Sequence, residues 1–143
     1  MFSFFKKKKV NHLTVKCSTE GITINDKPIS FPTDYNTLID ILGEPSRKIE
    51  KTNTYVLWDD YGVFYGSNNL NKVLSIKFLQ NKEDNTEYNT KNQFKGSLFL
   101  DDENITHNEF VKIPLGKMVI HRLGSETETR FGFSIGANLD FKE

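Results

Sequence analysis

Two runs of carboxylates are the residues of this chain best equipped for chemistry: Asp59-Asp60 and Asp101-Asp102-Glu103. Paired acids can hold a divalent cation or divide the roles of general acid and general base. Neither run fits the D-x-[DN]-x-[DN]-G calcium loop. Both fall where hairpins are expected to turn, and Asp is favoured there because its side chain bonds nearby backbone N–H groups. Turn chemistry is therefore the leading reading and catalysis the alternative. A third role lies between them. Acidic turns beside aromatic side chains, here Trp58, Tyr61 and Tyr65, suit a face aimed at a basic protein partner.

The other candidate motifs are weaker. Gly132-Phe133-Ser134-Ile135-Gly136 spells G-x-S-x-G, the strand-to-helix elbow of hydrolases. In those enzymes the acid and the histidine follow the serine. Here seven residues follow Gly136 and no histidine lies beyond His121. The alternation of Phe131, Phe133 and Ile135 reads as a strand instead. His12, His107 and His121 stand far apart with no ligand spacing, so no zinc site is expected. No phosphate-binding loop and no G-x-G-x-x-G occurs, so no cofactor is expected. Cys17 is the single cysteine, which precludes an intrachain disulfide. Alternation with Leu13 and Val15 turns it inward, as a buried thiol.

The elements that must position these residues are mostly strands. Leu13–Ser18 alternates, and Ile22, Ile24 and Ile29 flank an Asn25-Asp26 turn, a hairpin whose second arm Pro28 marks as an edge. One helix is clear, over 34–42. Thr33 or Asp34 can cap it, and Tyr35, Leu38, Ile39 and Leu42 share one face. Gly43 supplies a C-cap in the left-handed region and Pro45 prevents continuation. Thr54–Trp58, Val63–Tyr65 and Val73–Leu79 form an antiparallel meander. Residues 80–93 read as a long exposed loop. Strands follow at Gly96–Leu100, Met118–Leu123 and Thr129–Ile135. Thr106 to Glu109 has capping-box spacing, and Pro114 limits any helix over 106–113 to about two turns. Gly21–Ser30 and Gly96–Thr106 echo one another: a glycine, an apolar strand, then an acidic turn.

Composition bounds the function. The 143 residues are one domain's length, with 19 Lys+Arg against 19 Asp+Glu. Removing the four lysines Lys6–Lys9 leaves 15 positive charges against 19 negative from residue 10 onward, a net of −4. A mildly acidic body disfavours direct nucleic-acid binding. The start, Met1-Phe2-Ser3-Phe4-Phe5 before the lysines, reverses the order of a secretory signal, and no run approaches ~20 apolar residues. A cytoplasmic protein is expected, with residues 1–12 a basic flexible tip and residues 13–143 a single domain. Residues 1–9 could make a weak membrane contact, three Phe inserting and four Lys meeting anionic headgroups. The simpler reading is a solvated tail.

Leu42-Gly43-Glu44-Pro45-Ser46 and Tyr55-Val56-Leu57-Trp58-Asp59-Asp60-Tyr61-Gly62-Val63-Phe64 resemble small bacterial domains of unknown function. Those domains have a helix ending in L-G-x-P and a W-D-D-x-G turn, and their Phe/Lys-rich start is similar. By analogy of type they look like toxin-immunity proteins, which implies neutralisation of a toxin by direct binding and carries over no catalytic residue. The expectation is thus an α+β fold, mostly antiparallel sheet, with the 34–42 helix packed on it and room for a second short helix. The expected function is non-catalytic protein binding. Trp58, Asp59, Asp60, Tyr61, Tyr65, Asp101, Asp102 and Glu103 are the candidate contact residues. A small hydrolase or metal-dependent enzyme built on the acid clusters is the alternative, and a peripheral membrane adaptor resting on the N-terminal tip is the third.

Overall fold

A computed structural model describes residues 12–81, 89–124 and 131–142. All of the expected N-terminal tip except His12 lies outside the described residues, as does its proposed membrane contact through residues 1–9. Among the described residues the fold is α+β and mainly antiparallel, with two sheets and one helix.

The smaller sheet has the order β3-β2-β1-β8-β9. Its centre is β1 (Thr14–Ser18), antiparallel to β2 (Gly21–Ile24) and parallel to β8 (Ser97–Leu100). A hairpin flanks β1 on each side. On one side β2 turns through Asn25-Asp26 into β3 (Lys27–Ile29); on the other β8 turns through Asp101-Asp102 into β9 (Glu103–Asn104). The two turns share one geometry. Asn25 and Asp26 have φ of 50° and 70°, and Asp101 and Asp102 have 49° and 70°. Asn and Asp tolerate this left-handed region, and such a turn matches the twist of the strands it joins. The sequence echo of the two segments is thus an echo of conformation.

The larger sheet has the order β10-β11-β12-β7-β6-β5-β4. The expected meander forms as β5 (Thr54–Trp58), β6 (Val63–Ser67) and β7 (Ser75–Asn81). A second meander of β10 (Lys112–Leu115), β11 (Met118–Leu123) and β12 (Phe131–Ala137) joins it through β12 and β7. Strand β4 (Arg47–Glu50) completes the far edge. G-x-S-x-G is strand β12, as its alternation implies. An added Cβ at Gly132 would lie 2.0 Å from the Phe78 carbonyl oxygen, so the glycine serves close strand approach.

One core lies between the sheets. Val15, Cys17, Ile22, Ile24 and Leu98 of the smaller sheet meet Val56, Trp58, Ile76, Phe78, Phe133 and Ile135 of the larger. Phe78 and Phe133 stack at 4.5 Å and Phe94 meets both edge-on, at 5.1 and 5.5 Å. Helix α1 (Tyr35–Leu42) adds Leu38 and Leu42 to this core. Asp34 is its N-cap, accepting from the Thr37 N–H at 2.8 Å. Leu57, Phe64 and Leu79 form a second cluster on the opposite face of the larger sheet.

Three expectations are corrected. Residues 106–113 form no helix. The Thr106 hydroxyl that would cap one instead accepts from the Leu98 N–H at 2.9 Å, and residues 112–115 are strand β10 despite Pro114. The 80–93 segment is not an exposed loop throughout: β7 runs to Asn81, and Asn89 and Thr90 are buried. Gly43 has φ 87° but ψ −174°, so it ends the helix in a positive-φ conformation essentially reserved for glycine rather than in the left-handed helical one.

Candidate functional site

The helix end and the β5–β6 turn are built as one unit. Gly43 returns its N–H to the Ile39 carbonyl at 2.8 Å, closing the last turn. Its own carbonyl accepts from Trp58 Nε1 at 2.8 Å. Trp58 is therefore buried with its one polar atom satisfied. Ser46 N–H donates to the Leu57 carbonyl at 2.8 Å although Arg47 is the register partner of Leu57. Two residues thus oppose one, a bulge that swings both side chains to the same place. That place is Asp59. Ser46 Oγ accepts from the Asp59 N–H at 2.8 Å, and the Arg47 guanidinium grips the carboxylate through Nε at 2.9 Å and Nη2 at 3.2 Å.

The segment after β7 is drawn into the same knot. Lys91 N–H donates to Asp59 Oδ1 at 2.9 Å, Asn92 N–H to the Asp59 carbonyl at 3.1 Å, and Arg47 Nη2 to the Asn89 carbonyl at 2.9 Å. Burial pushes the Asp59 pKa up, but the Arg47 hydrogen bonds, the Lys91 N–H and the nearby positive charges outweigh it and hold the carboxyl below the usual Asp value. A carboxylate kept ionised, with both oxygens occupied, is a structural tie rather than a proton carrier.

Burial removes three candidates from the surface. Trp58, Asp59 and Tyr65 are 2%, 5% and 1% exposed, which bars them from direct contact with a partner. Tyr65 lies 6.1 Å from Trp58 in the core. Among the described residues its hydroxyl is buried without a hydrogen-bond partner, and desolvation foremost pushes its pKa up. Tyr61 is half-buried against the core and Asp60 is exposed.

The second acidic run is different. Asp101, Asp102 and Glu103 are all exposed, at the tip of the β8–β9 hairpin. Asp101 is anchored by its N–H to the Cys17 carbonyl at 3.0 Å. The turn rims a shallow open hollow of about 290 Å³, lined by Lys16, Ser18, Thr23 and Phe99 on the outer face of the smaller sheet. The two acidic turns belong to different sheets, and among the described residues no hydrogen bond or ion pair joins them. Among the described residues, too, no group of three or more His, Cys, Asp or Glu could hold a metal ion, and no helix is long and apolar enough to cross a membrane.

Sequence reasoning missed two arginines that organise the molecule. Arg47 was invisible as the partner of Asp59 because twelve residues, two strands and the turn between them separate the two. Arg122 on β11 donates to Gln80 Oε1 at 2.8 Å and to the carbonyls of Gly132, Thr106 and Asn108 at 3.0, 3.1 and 2.7 Å. It lies 4.5 Å above the rings of Phe110 and Phe131 and so ties the segment after β9 to the larger sheet. An Arg inside a strand was the available signal, since a long side chain there must either reach water or find several acceptors.

No curated protein and no solved structure matches the chain. A family model does match, over residues 14–114. That span begins with β1 and ends within β10, so β11 and β12 lie beyond it although β12 is bonded to β7 inside the larger sheet. The match covers more than half of the chain, which therefore belongs to the family described as a domain of unknown function, DUF7738.

Proposed function

We propose that this protein is a non-catalytic protein-binding module, and that its concrete role is immunity, the neutralisation of a bacterial toxin by direct binding in the cytoplasm. The observation that carries the reading is the division of labour between the two acidic runs. Asp59 is consumed inside the fold. Asp101, Asp102 and Glu103 stand in water on an anchored hairpin tip beside a hollow lined in part by Phe99 and Lys16. Exposed acids on a fixed turn attract a basic surface from a distance, and the hollow can take one side chain of the partner. Asp60, exposed, and Tyr61, half-buried beside it, form a second, smaller acid–aromatic site.

The test starts by capturing partners of the tagged full chain from its native cell extract, then measures binding with the purified partner. Asp101→Asn/Asp102→Asn is expected to slow association and to abolish protection when partner and module are expressed together. Normal protection by the folded variant contradicts the acidic turn as the contact surface. Turnover of a substrate by the purified protein, lost in the same variant, contradicts the non-catalytic reading and favours the enzyme alternative.

A further inference from the structure

Among the described residues the two sheets end in four edges: β3, β9, β10 and β4. An open edge offers unpaired N–H and C=O groups to another chain, and proteins commonly block it. Pro28 in β3 and Pro114 in β10 each remove a donor, and β9 is only two residues long and carries Glu103. β4, Arg47-Lys48-Ile49-Glu50, has no proline and is twice as long as β9, so its charges are its guard. Lys51 N–H donates to the Asn53 carbonyl at 2.9 Å, continuing a ladder in which residues 47 and 49 bond toward β5. In an antiparallel ladder the alternate residues then face away, so the backbone groups of Lys48 and Glu50 point out of the sheet.

We propose that this edge is occupied by a second copy of the chain, β4 pairing antiparallel with its twin about a two-fold axis centred on Ile49. A two-fold axis through such a pair runs perpendicular to the sheet, so facing side chains share a face. That leaves registers centred on residue 48, 49 or 50. Centring on Lys48 or on Glu50 sets a like charge against itself. Centring on Ile49 sets Lys48 opposite Glu50 of the second copy, twice by symmetry, and in the outward-facing pairs that can exchange hydrogen bonds. Ile49, half-buried beside Leu57 and Tyr55, then meets its own mate in the closely spaced pair between them. Arg47 falls opposite Lys51 of the second copy, but its charge is already held by Asp59. Lys48 is exposed, its ammonium 4.5 Å above the Tyr35 ring, and Glu50 is exposed with no ion pair among the described residues. The charges that would guard a lone edge are thus complementary to themselves in one register, and one register only.

Sedimentation equilibrium of the full chain from micromolar to millimolar concentration tests this. The expected result is a concentration-dependent dimer. Lys48→Glu and Glu50→Lys singly place like charges opposite one another and should each give monomers, while the double exchange Lys48→Glu/Glu50→Lys should restore the dimer. The restoration separates a cross-strand pair from a variant that merely fails to fold. Ile49→Cys should form an intermolecular disulfide under mild oxidation, because facing Cβ atoms in that pair lie about 4.5 Å apart. Lys51→Cys should not, because its mate is displaced on the order of 14 Å along the strands. A monomer at every concentration, single variants that dimerise like the wild type, or a double exchange that stays monomeric would overturn the proposal.

Discussion

Arg47 and Asp59 hold each other by two guanidinium nitrogens, at 2.9 and 3.2 Å, with the Asp side chain 7% exposed and the Arg side chain 29%. The pair joins the edge strand, the β5–β6 turn and the segment 89–92. Removing the carboxylate takes the ion pair from a half-buried guanidinium and the acceptor from the Lys91 N–H. Asp59→Ala is expected to cost roughly 2–4 kcal/mol in urea unfolding.

The same pair sets a pH dependence. The folded pKa of Asp59 is lowered, so as pH falls the unfolded chain takes up the proton first. The stabilisation is complete above the ordinary carboxylate range and is lost as pH falls below about 4, through the folded pKa. Urea midpoints measured from neutral pH down to about pH 3 should fall more steeply for the wild type than for Asp59→Asn. Parallel curves would show that other groups control acid unfolding.

Leu38 is fully buried between the helix and the sheets. Leu38→Ala removes its methyl groups from a core that relaxes only in part, at an expected cost of about 2–5 kcal/mol. A urea midpoint within half a kcal/mol of the wild type, about the scatter of ordinary surface substitutions, would contradict the placement of α1.

Gly132→Ala and Ser134→Ala should separate packing from chemistry within G-x-S-x-G. The added methyl of Gly132→Ala meets the Phe78 backbone, and overpacking of this kind costs about 1–3 kcal/mol or more. Ser134 is buried in the middle of β12, opposite Lys77 and His121. Ser134→Ala is expected to leave partner binding unchanged. A serine-directed fluorophosphonate that labels the wild type but not Ser134→Ala would show a nucleophile instead.

Cys17 is 3% exposed, and burial pushes its thiol up to about 12. Only the thiolate reacts, so the folded protein should resist alkylation at neutral pH and react fully in denaturant. Rapid labelling of the native chain would place the thiol outside the core.

The parts of the fold that were legible in the sequence are those set by local chemistry. Asp34 as cap, Pro45 beyond the helix, Pro28 on an edge and the Asn25-Asp26 turn each act within a few residues. Strand β4 was not legible, because Ile49 is its only apolar residue and an edge needs no apolar alternation. β10 was hidden by Pro114, which an edge tolerates. The parallel pairing of β1 with β8 spans more than eighty residues and has no local signal. The candidate site failed for a related reason. Trp58 and Asp59 look like an acid–aromatic surface until Gly43, Ser46, Arg47 and Lys91 are brought against them, and those partners come from other elements. That Asp101, Asp102 and Glu103 lie at a turn was legible because the β8–β9 hairpin sets it locally.

The most direct test of protein binding through the exposed acidic turn is the association rate of the purified partner as a function of salt. The wild type should associate faster at low ionic strength, with the rate falling as salt is added. Asp101→Asn/Asp102→Asn/Glu103→Gln should associate more slowly and lose most of that dependence, while its dissociation rate changes little. Phe99→Ala should instead raise the dissociation rate, with a loss of about 2 kcal/mol in affinity. A rate indifferent to salt, or a triple variant with the wild-type rate and fold, would contradict the account.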